Sequence, residues 1–100
     1  MTLDFFLKNY DFNEYEVKKI YIQKNKLYFD VVMPIHLELI ANGYRPELDM
    51  TQEKTFVFHC DESDKEISKN AKIEFKDTSV FLDGKEIKIT LSLVDILEQN

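Results

Sequence analysis

The sequence predicts an α+β fold: a mostly antiparallel β-sheet of five to six strands with a short N-terminal and a short C-terminal helix, in a single β-rich domain over residues 1–100. Three observations predict it. Leu27, Phe29, Val31, Met33, Ile35, Leu37 and Leu39 recur at spacing two, the period at which a strand presents one face. Asp83-Gly84 separates two further alternating runs, and this dipeptide suits a two-residue type I′ hairpin turn. A chain of 100 residues with two glycines and two prolines holds one modest core and short connections, which favour antiparallel pairing.

TLDFFLKN (2–9) opens the chain as a helix. Thr2 can cap it, Asp4 suits the first turn, and Leu3, Phe6, Leu7 and Tyr10 recur at helical spacing. VKKIYI (17–22) is a strand with Ile20 and Ile22 on one face, and QKNK follows as a turn. In the long alternating strand 27–39, Pro34 lacks an N–H and marks an edge, a bulge or a bend. A rival reading competes there: Pro34 as first helical residue and Gly43 just past the end would bracket a helix over 35–42. GYRPELDMTQE (43–53) is the longest loop.

KTFVFHC (54–60) is a strand with Phe56, Phe58 and Cys60 inward, and DESDKEISKN (61–70) is a charged connection. AKIEF (71–75) is a strand with Ile73 and Phe75 inward. The Asp83-Gly84 turn pairs Leu82 with Lys85, Phe81 with Glu86 and Val80 with Ile87. Val80, Leu82, Ile87, Ile89 and Leu91 then share a face. SLVDILEQ (92–99) closes the chain as a helix, with Ser92 as N-cap, Asp95 at N3, and Leu93, Ile96 and Leu97 toward the core.

The charge balance narrows function. Nineteen carboxylates against thirteen Lys and Arg leave −6. Nucleic-acid backbones and anionic membranes need clustered cations, so no nucleic acid and no membrane is expected as a partner. An acidic surface attracts a basic protein and speeds its encounter. One cysteine excludes an internal disulfide. MTLDFFLKNYDF lacks the features of a signal peptide, and the apolar runs are too short to span a membrane. A cytoplasmic protein is expected.

No catalytic or cofactor motif stands out. His59 and Cys60 are adjacent, so on a strand they point to opposite faces and cannot form a thiolate–imidazole pair. His36 and His59 match no metal-ligand spacing, so neither metal nor cofactor is expected. Binding residues are easier to nominate. Tyr44 and Arg45 are of the types enriched in protein-binding hot spots. Arg45 is the sole guanidinium, flanked by Glu38, Glu47 and Asp49. It either bridges internally to pin its loop or is presented to a partner's carboxylate or aromatic group. Tyr28, with Tyr21, Val32, Ile40, Val57 and Phe81, falls on the outer side of the sheet, and His36 shares its strand face with Glu38. That face is either covered by the helices or the 43–53 loop, or binds another protein or a second copy. The candidate partner-binding residues are therefore Tyr44, Arg45, Glu47, Tyr28 and His36.

FNEYEVKKIYIQKNKLYFDVVMP followed by TFVFHC resembles a class of small bacterial β-rich domains that includes families proposed as immunity proteins. These open with an F/H-D/E-x-x-V-x-x-I segment, a strand, a second strand ending in Pro, and an alternating aromatic strand. The resemblance covers about half the chain. Where the class often has His-Asp, this chain has Asn13-Glu14, and residues 33–50 have no clear counterpart. The resemblance implies a non-enzymatic, acidic binding protein of immunity or accessory-inhibitor type and carries over no site residues. The alternative is a structural homodimer with the long strand at its seam. A small enzyme using His36 or His59 is the third reading.

Overall fold

The computed structural model describes residues 1–34 and 51–98. Among them are helix α1 (Leu3–Asn9), a 3-10 turn (Phe12–Glu14) and strands β1 (Glu16–Gln23), β2 (Lys26–Pro34), β3 (Thr51–Cys60), β4 (Lys65–Ile67), β5 (Ile73–Lys76), β6 (Ser79–Leu82) and β7 (Lys85–Glu98). The seven strands form one antiparallel sheet, ordered β4-β1-β2-β3-β7-β6-β5. The sheet curls into half a barrel around α1.

α1 is too short to persist alone, so capping and packing must hold it. Thr2 Oγ1 accepts from the Phe5 N–H at 3.3 Å. The Tyr10 N–H closes the far end on the Phe6 carbonyl. Phe6 then enters the curl of the sheet, with its ring 5.1–5.6 Å from those of Phe12, Phe56, Phe58 and Phe75. It is fully buried, a contribution of about 1.5–3 kcal/mol. The inner face of β2 is Leu27, Phe29, Val31 and Met33, all buried, as the alternation predicts. Phe56, Phe58 and Cys60 of β3 join them.

Two hairpin turns carry positive φ at both central residues, and one of them is the predicted Asp83-Gly84 turn. Lys24 and Asn25 have φ of 53° and 59°, and Asp83 and Gly84 have 52° and 83°. The second turn gives the predicted pairs Leu82–Lys85, Phe81–Glu86 and Val80–Ile87. Lys24 is an unusual residue for left-handed backbone, and neighbours hold that turn. Its N–H donates to Asp64 Oδ1 at 2.9 Å, and Asn25 Nδ2 donates to the Glu62 carbonyl at 3.1 Å.

Four expectations are corrected. The expected α+β sheet of five to six strands with two helices is instead a seven-stranded, mostly β fold with one α-helix among the described residues. Residues 92–98 are not a helix but the end of β7, pairing Lys54–Phe58 of β3 with Val94–Glu98. Leu93, Ile96 and Leu97 suit a helical face, yet Val94 and Ile96 also suit the inner face of a strand. The exposed ladder of β3 decides between them. The charged connection 61–70 contains β4, whose Ile67 pairs with Ile20. The predicted loop 43–53 ends early, because Thr51, Gln52 and Glu53 already pair with Pro34, Met33 and Val32.

Leu91 also departs from its predicted face. It is exposed while Ile87 is buried, because the β3–β7 register shifts between Phe58 and Cys60. Pro34 is the exposed last residue of β2 and faces Thr51. The expected continuation of the strand to 39, its rival helix over 35–42 and most of the 43–53 loop lie outside the described residues.

Candidate protein-binding surface

The outer face of β1, β2, β3 and the second half of β7 is built in rows. Cross-strand register sets Glu66, Tyr21, Tyr28, Val57 and Asp95 side by side over five strands. The rings of Tyr21 and Tyr28 stack with centroids 4.7 Å apart and planes 6° from parallel, a cross-strand contact of about 0.2–1 kcal/mol. Val57, between Tyr28 and Asp95, is buried although it points away from the inner core.

The neighbouring row is Lys19, Asp30, Thr55 and Leu97. Thr55 Oγ1 donates to Asp30 Oδ1 at 2.7 Å. Lys19 Nζ sits 4.8 Å from the centre of the Tyr21 ring, within cation–π range. Burial pushes the Tyr21 hydroxyl above its ordinary pKa, and the Asp30 carboxylate and Tyr28 add to the shift. Further along, Lys18 Nζ lies 3.8 Å from Glu53 Oε1. On the other side of the tyrosine row, His59 Nε2 lies 3.6 Å from Asp95 Oδ2. A lysine–carboxylate pair and a histidine–carboxylate contact thus frame an aromatic centre.

Of the five nominated residues, Tyr28 stands at the middle of this surface. His36, Tyr44, Arg45 and Glu47 lie outside the described residues, as does Ile40. Tyr21, Val32 and Val57 take the outer positions expected of them. Phe81 pairs with Glu74 and Glu86 near the β5 end of the sheet, away from the tyrosines. Cys60 is buried on the inner face, where burial raises its thiol pKa, while His59 faces Asp95 outside.

Sequence reasoning missed Asp95, Leu97 and the Thr55–Asp30 pair. The parity of Thr55 and Asp30 was readable, but their contact needs the β2–β3 register. Asp95 and Leu97 belong to SLVDILEQ, whose spacing predicts a helix.

An open depression of about 510 Å³ adjoins the tyrosine row, lined by Lys19, Tyr21, Gln23, Asp64, Lys65 and Glu66 among others. Among the described residues, no three His, Cys, Asp or Glu side chains group as metal ligands. No helix among them is long and apolar enough to cross a membrane. Comparison with protein-family models, with curated proteins and with solved structures found no match to this chain.

Proposed function

We propose that this chain is a non-enzymatic, acidic binding domain of the bacterial cytoplasm that holds another, basic protein against the outer face of β1, β2, β3 and β7. An immunity-type or accessory-inhibitor role fits this reading. One observation carries it: Tyr21 and Tyr28 are stacked, half-buried and fixed at the centre of a framed surface. Rigid tyrosines give large contact area at small entropic cost, which is how binding hot spots are built. The excess of carboxylates supplies long-range attraction for a cationic partner.

The test compares capture from a native bacterial lysate by the unaltered protein and by the Tyr21→Ala, Tyr28→Ala double variant. At low ionic strength, the expected outcome is a partner recovered by the first and reduced more than about tenfold with the second. Equal recovery by both would move the site off this face. Recovery of nothing by the unaltered protein would remove the binding reading.

A further inference from the structure

Among the described residues, the exposed large apolar side chains are Met1, Phe5, Leu91, Leu93 and Leu97. All belong to the N-terminal segment or to residues 91–98 of β7, which meet at the Thr2–Leu93 bridge. The same stretch of β7 carries an open backbone edge. Val94 donates to the Met1 carbonyl at 2.8 Å and accepts from the Met1 amino group at 3.1 Å. Its N–H and C=O therefore face away from β3. Register is regular from Val94 to Glu98, so antiparallel alternation turns the N–H and C=O of Ile96 and Glu98 the same way. Beyond Met1, β7 from Asp95 to Glu98 has β3 as its one strand neighbour among the described residues.

Among the described residues, the other open edges are blunted. β4 and β5 are three and four residues long. The first half of β1 carries the register shift between Val17 and Lys19, together with the lysines Lys18 and Lys19. Short length, bulges and lysines are the usual guards against strand addition. Residues 91–98, LSLVDILE, contain no lysine, arginine or proline.

We propose that this edge pairs with the same edge of a second copy of the chain, about a two-fold axis beside Leu97. The available groups fit themselves. Ile96 of each copy faces Glu98 of the other, and both pairs exchange N–H···O bonds. Leu97, whose own backbone is turned to Thr55, meets Leu97 of the second copy as a non-hydrogen-bonded pair, with Cα atoms about 4.5 Å apart. Leu97 and Leu93 are each about half exposed in the single chain, at 50% and 53%, and lose that exposure in the pair. Each copy carries −6, so association strengthens as salt screens the repulsion. This pairing stands independently of whether the outer face holds another protein.

The test is site-specific crosslinking. In a Cys60→Ala background, Leu97→Cys is oxidised with copper phenanthroline and compared with Leu93→Cys, which is equally exposed but out of register. The expected result is a disulfide-linked dimer from Leu97→Cys, forming at least about tenfold faster than from Leu93→Cys, because opposed non-hydrogen-bonded positions suit disulfide geometry. Equal rates overturn the register. Light scattering on the otherwise unaltered chain should give a dimer that Leu97→Lys converts to a monomer with unchanged circular dichroism. A monomer at millimolar concentration and high salt overturns the proposal, as does a dimer indifferent to Leu97→Lys.

Discussion

β2 and β3 show two faces made from different chemistry. Inward they present Leu27, Phe29, Val31, Met33, Phe56 and Phe58, all buried against α1 and the other strands. Outward they present Tyr28, Asp30, Val32, Thr55, Val57 and His59, where polar atoms find named partners: Thr55 with Asp30, and His59 with Asp95. The inner face needs only apolar volume at close packing. The largest buried side chains of these strands therefore lie on one side, the inner one.

The largest expected effect lies inside. Phe6→Ala removes the ring at the centre of the aromatic cluster and should cost about 3–5 kcal/mol, measured by urea unfolding. That is a large part of the total stability of a small domain. A loss below about 1 kcal/mol would mean that the inner face is not one packed unit. Thr55→Val tests whether the outer face also contributes to stability. It keeps the shape but leaves Asp30 without the Thr55 hydroxyl, so a loss of about 1–2 kcal/mol is expected in the same assay.

A pH titration sharpens the contrast further. Burial, Asp30 and Tyr28 hold the Tyr21 proton more tightly in the folded chain than in the unfolded one, where the ordinary value is 10.0. The resulting stability is fully present below that value and is lost as pH rises through the higher folded-state pKa. Tyr21→Phe should remove this part of the alkaline loss, as seen in melting temperature against pH. The smallest effect belongs to Lys72→Ala. The Lys72–Glu74 pair, at 2.8 Å, is well exposed, and its loss should leave the melting temperature unchanged.

Much of the inner face was legible because burial writes a period of two into β2, and because Asp83-Gly84 declares its own turn. α1 was legible through Thr2 and the spacing of Leu3 and Phe6. The end of the chain was not. SLVDILEQ satisfies a helical and an extended pattern equally, and only the unpaired ladder of β3, distant in sequence, selects the strand. β4 stayed hidden because Lys65 and Glu66 resemble a solvated turn, and Ile67 is its one apolar side chain. At the candidate surface, Tyr28 could be placed by parity alone. Its contacts could not, since cross-strand pairs such as Tyr21–Tyr28 and Thr55–Asp30 exist only once register is fixed.

The length of β7 has a consequence for the order in which the chain can fold. This single strand pairs with β6 through its first residues and with β3 through its last, and it bridges to Thr2. α1 packs against it. Until residues 85–98 have left the ribosome, β3 lacks its second neighbour and the N-terminal segment has nothing to bridge. The closing contacts span nearly the whole chain, which makes folding slow for its size. Native structure should therefore form only once residue 98 has emerged. Stalled nascent chains ending before residue 85 should remain open to protease, whereas chains exposing residue 98 become resistant.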